Sequence, residues 1–136
     1  MFLHFLEDIE HKRSFLELAH LVAAADGFVN RNERNYLRSY MEELDLPQGE
    51  AQIEAGRKLE DIVGHLKDEQ VKNIFFAEIL LLTFADGDYN DDEQVIVQEM
   101  RRLFGLSDAA YEKFKEWAIK VDQLKVDGMK LILSAH

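Results

Sequence analysis

The stretch from Phe15 to Leu46 reappears sixty residues later as Phe75 to Leu106, aligned without a gap. Eight of the 32 pairs are identical: Phe15/Phe75, Leu21/Leu81, Ala25/Ala85, Asp26/Asp86, Gly27/Gly87, Asn30/Asn90, Glu33/Glu93 and Leu46/Leu106. Leu16/Phe76, Val22/Leu82, Val29/Tyr89, Tyr36/Ile96, Leu37/Val97 and Leu44/Phe104 keep apolar character. Two copies are too few for a solenoid. The duplication predicts one compact domain over residues 1–136, made of two related helix–turn–helix halves packed on each other.

The second copy opens on an almost unbroken apolar run, Ile74 to Ala85, interrupted only by Glu78 and Thr83. Such a run reads as a central helix covered on most sides, and it is far short of the ~18–20 apolar residues that span a membrane. Asp86-Gly87-Asp88-Tyr89-Asn90-Asp91-Asp92-Glu93 follows, with five acids and no base. A second helical pattern then runs to Gly105.

The rest of the chain reads as helix too, so the expected fold is all-α with about seven helices. Phe2, Leu3, Phe5, Leu6 and Ile9 predict a short first helix over residues 2–10, laid across the core. Lys12 to Ala25 carries Phe15, Leu18, Leu21, Val22 and Ala25 on one face, and nothing at His11-Lys12-Arg13 decides whether these are one helix or two. Gly27 suits a position just past a helix end. Asn30 and Glu33 have the spacing of a capping box, as do Asn90 and Glu93. Leu46 to Gly49 is a connector. Residues 50–66, with Gly56 and Gly64, read as one kinked helix or two short ones. Asp68 and Ser107 are expected N-caps, and Gly105 a helix end. Val126-Asp127-Gly128-Met129 reads as a turn or a helix break, and Leu131, Ile132 and Leu133 suggest that the tail docks on something.

The net charge of −11 is spread over both halves, with 7 bases against 13 acids in residues 1–66 and 9 against 14 in residues 67–136. No basic stripe is present to neutralise phosphates, so nucleic acid is not an expected partner. An anionic membrane surface would repel the chain. With no cysteine, disulfides, thiolate metal sites and cysteine nucleophiles are excluded, which suits a reducing compartment. The first residues lack the basic start and long apolar middle of a signal peptide. The expected location is the cytoplasm.

Two units stand out: Ala25-Asp26-Gly27-Phe28-Val29-Asn30-Arg31-Asn32-Glu33 and Ala85-Asp86-Gly87-Asp88-Tyr89-Asn90-Asp91-Asp92-Glu93. Each has a Glu seven residues after its first Asp. Together with Leu103-Phe104-Gly105-Leu106-Ser107, this pair resembles the tellurite-resistance TerB family over roughly residues 12–120. The resemblance implies an all-helical domain with internal pseudo-symmetry. It also implies metal binding through acidic residues, and a role in cytoplasmic stress-response assemblies beside membrane-associated protein partners. A similar domain heads a membrane-anchored DnaJ-type co-chaperone, which implies use as an interaction module. Phe28 and Arg31 stand in the first motif where the second has Asp88 and Asp91, so metal is expected chiefly at the second.

Asp26 and Asp86 fall where a helix ends, and a carboxylate there meets the negative pole of that helix. The free amides of the next helix offer a structural remedy, making each Asp a further cap beside Asn30 or Asn90. A hard cation offers a functional one. Asp86, Asp88, Asn90 and Asp92 present oxygens on alternate residues with Glu93 beside them, a donor set suited to magnesium or calcium. Asp26, Asn30 and Glu33 form the weaker counterpart. The second loop is not an EF-hand, because Asp91 stands where that loop needs Gly and Val97 where it needs the bidentate Glu.

Glu78 falls at the place of Leu18 in the first copy. It is expected on an exposed strip, the alternative being a buried partner for a base or a metal. No pair among His4, His11, His20, His65 and His136 has the i, i+4 spacing of a helical zinc site. Trp117, Tyr111 and Phe114 read as core. No nucleophile, metalloprotease, phosphate-cradling or dinucleotide motif occurs. The expected function is therefore a non-catalytic acidic interaction module, able to form a homo-oligomer without membrane insertion. Two alternatives stand beside it. In one the Asp-Gly motifs are purely structural and a partner docks on the N-terminal helix or the tail. In the other an acid–base enzyme is built around Glu78 or Asp86.

Overall fold

The computed structural model describes residues 1–25, 27, 29–46, 56–84 and 91–134. Among these residues the architecture is all-α. A 3-10 turn, η1 (Leu3–Phe5), precedes six helices: α1 (Ile9–Ala23), α2 (Arg31–Leu44), α3 (Leu59–Val63), α4 (Glu69–Thr83), α5 (Asp91–Phe104) and α6 (Asp108–Leu133). None is long and apolar enough to cross a membrane. Helix α4 is the central rod, packed by α1, α5 and α6, and every residue from Ile74 to Thr83 on it is buried. The apolar run demands such cover, since each face left in water would forfeit roughly 25 cal/mol per Å².

The duplication is legible in three dimensions at the same offset of sixty. Helices α1 and α4 have equivalent bounds, as do α2 and α5. Asp8 caps α1 by accepting from the Glu10 amide, and Asp68 caps α4 by accepting from the Gln70 amide, both at 2.8 Å. At the far ends, Ala24 and Phe84 have φ −94° with ψ 6° and 8°, and their amides donate to His20 and Val22 or to Leu80 and Leu82. Leu37, Tyr40 and Leu44 are buried on α2, as are Val97, Met100 and Phe104 on α5. Asp45 and Gly105 both take the left-handed conformation, at φ 48° and 69°. Upstream, Leu3 and Leu6 are buried as Val63 and Leu66 are. The repeat thus begins near residue 2 rather than at Phe15. Phe15 and Phe75 meet edge to face, ring centroids 5.3 Å apart, so equivalent residues touch across the line between the halves.

Several sequence expectations change. The first helix over 2–10 is only the turn η1, with α1 starting separately at Ile9. Asp8 explains the split. It has φ −75° and ψ 126°, the extended geometry an N-cap needs, and a capping residue cannot also be helix interior. Leu3 and Leu6 reach the core together because a 3-10 turn repeats every three residues. The segment at 50–66 is described only from Gly56, where it forms the short α3. Gly64 closes that helix with its amide on the Glu60 carbonyl at 2.8 Å, and an added Cβ would lie 2.3 Å from the same oxygen. The expected break at residues 126–129 is absent, and α6 continues through it to Leu133. One interior Gly costs about 1 kcal/mol, too little to end a 26-residue helix, and the Gln123 amide bonds Asp127 across that turn at 2.9 Å. The tail expected to dock is exposed, with Ile132 and Leu133 each at 82%.

Glu78 does not lie on an exposed strip. It is 1% exposed. Its Oε1 accepts from the Phe2 amide at 2.6 Å and lies 3.2 Å from the Met1 amino group. The N-terminal segment meets the carboxylate and α2 meets the same turn through Tyr40, contacts that a helix-by-helix pattern does not reveal. Tyr40 donates its hydroxyl to the Glu78 carbonyl at 3.0 Å. Burial, and then the nearby Glu78 charge, push that phenol well above its ordinary pKa.

The Met1 amino group also pairs with Glu43 at 2.5 Å, and the His4 amide donates to Glu43 at 3.1 Å. Partial burial pushes the Glu43 carboxyl up, but the amino group and His4 outweigh it, so its pKa is lowered. A carboxyl with a lowered folded pKa adds stability above its unfolded pKa, and that stability is lost as pH falls through the folded value. Wild type should therefore exceed Glu43→Gln in chemical denaturation at neutral pH. The gap should close as pH falls below the ordinary carboxylate range. A gap that widens in acid would contradict this pairing.

Candidate functional site

The two joins between paired helices are the natural place to seek a site. At the first, Asn30 Oδ1 accepts from the Glu33 amide at 2.7 Å, and Glu33 Oε1 accepts from the Asn30 amide at 3.2 Å. This is the expected capping box. Glu33 is 3% exposed, and its Oε2 is buried without a hydrogen-bond partner among the described residues. At the second join, Glu93 is likewise buried, at 4%. Asp91 and Asp92 are exposed. These three acids fill the first turn of α5, where the positive pole of the helix favours them. Asp26, Asp86, Asp88 and Asn90 lie outside the described residues.

Asp92 and Glu93 are adjacent on a helix, so their side chains leave the axis about 100° apart. Glu93 turns inward, while Asp92 borders a cleft of about 710 Å³ lined by residues of α1, α3 and α5. The cleft runs from Glu17, His20 and Leu21 past Ala24 at the first join to Val95 and Ile96. Glu17 is 8% exposed and pairs with Arg57 at 2.9 Å, while a second nitrogen of Arg57 donates to the Asp61 carbonyl at 2.6 Å. His20 Nδ1 lies 2.9 Å from the Leu16 carbonyl. That oxygen can only accept, so Nδ1 carries the proton and Nε2 of the neutral ring is left as an acceptor.

The duplication explains why the cleft exists. Ala77 on α4 stands where Glu17 stands on α1, and α6 packs against α4. Among the described residues no helix takes the place of α6 on the equivalent face of α1, and that face borders the cleft. Sequence reading passed over Glu17, His20 and Arg57. Setting Glu17 against Ala77 and His20 against Leu80 carries the signal: polar residues replace apolar ones on one face of one copy only.

The donors fit a hard cation in kind, being carboxylates, with a buried oxygen of Glu33 left over at the first join. Among the described residues, no three acidic or histidine side chains converge as a metal-holding group. Glu78 bonds the Phe2 amide and lies beside the Met1 amino group. No protein-family model, curated protein or solved structure matches this chain.

Proposed function

We propose that this protein is a non-catalytic, TerB-like acidic interaction module, steadied by weak binding of magnesium or calcium at the second Asp-Gly loop, residues 86–93. The observation that supports the reading is the cleft beside α1, which no helix covers among the described residues. Its counterpart on α4 is covered by α6, and Asp92 of the second join stands on its border. A partner protein seated there would contact the element that the cation orders. The paired motifs support a cytoplasmic stress-response context of the tellurite-resistance kind, with a membrane-associated protein as partner. That context rests on the resemblance of those motifs alone.

An amide-shift titration of the full chain with Mg²⁺ and Ca²⁺ tests the cation. Shifts are expected at millimolar metal within residues 86–93, with Asp92 and Glu93 among them, and no response there ends the cation reading. Val95 tests the docking face, because it lines the cleft and is 70% exposed. Val95→Glu should leave stability within about 0.5 kcal/mol while reducing cross-linking of the native partner at the cleft. Unchanged cross-linking would place the partner elsewhere.

A second reading makes both Asp-Gly motifs purely structural. The complete capping box at Asn30 favours it for the first copy.

A further inference from the structure

Ala110, Phe114, Trp117, Val121, Leu124, Gly128 and Leu131 follow one another at alternating steps of four and three residues, the spacing of a helix–helix seam. The first part of this seam borders an apolar groove of about 400 Å³, lined by Phe2, Ala77, Ala110, Lys113, Phe114 and Trp117. The Phe2 and Trp117 rings lie 5.8 Å apart along it. The last part projects beyond Lys125, whose ammonium sits 4.7 Å above the Tyr36 ring. Leu124, just before that lysine, is 69% exposed, and Ile132 beyond it 82%. A straight helix cannot fold its own tail back into its own groove.

We infer that the tail of α6 seats in the groove of a second copy, so that two α6 helices pair antiparallel about a two-fold axis near Val121. In that register Ile132 faces Ala110 of the other chain and Gly128 faces Phe114. Each tail fills one groove, the self-complementary pattern of a closed dimer. Gly128 gains a reason in this arrangement. It sits inside a helix at a cost of about 1 kcal/mol relative to Ala, with open space where a Cβ would stand, and the missing side chain makes room for the incoming Phe114 ring. Charge points the same way. Residues 117–134 carry three Lys and two Asp in a chain of net charge −11, so contact through this stretch brings together the least repulsive part of two acidic molecules. The pairing does not depend on the cation or on the α1 cleft.

Sedimentation velocity on the full chain over a hundredfold concentration range is the first test, with dimer expected. Leu124→Asp with Ile132→Asp changes only exposed side chains, and should weaken association at least tenfold with circular dichroism unchanged. The chain has no cysteine, so orientation can be read by cross-linking. A short bis-maleimide should join Ile132→Cys to Lys113→Cys in a mixture, and neither variant to itself. A monomer at every concentration overturns the inference. So does a dimer indifferent to the double substitution, efficient self-linking of Ile132→Cys, or a tail that binds anionic vesicles while the protein stays monomeric.

Discussion

Replacing Phe75 by alanine is expected to cost about 3–5 kcal/mol in urea denaturation, the range for deleting a buried aromatic ring. The ring is fully buried. It meets Phe15 edge to face at 5.3 Å, and Phe15 in turn meets Tyr40 edge to face at 5.0 Å. These contacts join the halves, so nearly every element loses support when the ring goes. For a domain whose whole stability is ~5–15 kcal/mol, that loss is a large share. Phe15→Ala should cost a similar amount. The double variant should cost less than the sum by about 0.5–1.5 kcal/mol, because the second deletion removes a contact already broken. A loss below ~1 kcal/mol for Phe75→Ala, or strict additivity, would place the junction of the halves elsewhere.

Removing the Glu78 carboxylate is the second large effect. Glu78→Ala is expected to cost about 2–4 kcal/mol, since hydrogen bonds to charged groups contribute ~1.5–3 kcal/mol and a cavity adds to the loss. The Phe2 amide and the Met1 amino group both lose an acceptor. Glu78→Leu restores the residue type of Leu18 and should recover the packing part of the loss only. The single tryptophan reports on the same event. Phe2 lies against Trp117, so release of the N-terminal segment should shift the emission of Trp117 to the red in both variants. If Glu78→Leu matched wild type in stability and emission, the carboxylate would not be what holds that segment.

The sequence made the helices legible wherever two signals coincided. Asn30 with Glu33 marked the start of α2, and the Ile74 to Ala85 run marked the central rod. The duplication also announced the pairing of halves, although its upstream part stayed hidden. There Leu3 corresponds to Val63 in burial rather than in identity, and the Leu6/Leu66 and Asp8/Asp68 identities are too scattered to stand out. Glu78 was misjudged because helical spacing tells which residues share a face, not how many neighbours a helix has. The strip that carries Glu78 meets the N-terminal segment, whose Phe2 amide and Met1 amino group hold its carboxylate. At the tail the apolar residues signal a contact, and the helix carries them past the body of this copy, where they stay exposed. At the candidate site, acids were easy to find by spacing. The cleft was not, because Glu17 and His20 on α1 and Arg57 before α3 come from separate segments that only the packing of α1, α3 and α5 brings to one surface.

The proposed cation at the second Asp-Gly join would draw oxygens from Asp86 and Asp88. Thermal unfolding of Asp86→Ala with Asp88→Ala, beside wild type, in chelator and in millimolar Mg²⁺ or Ca²⁺, tests it most directly. Melting temperatures are expected to agree in chelator and to separate on adding metal, with only wild type rising. An equal deficit of the variant in both buffers would contradict it and leave those aspartates as caps alone.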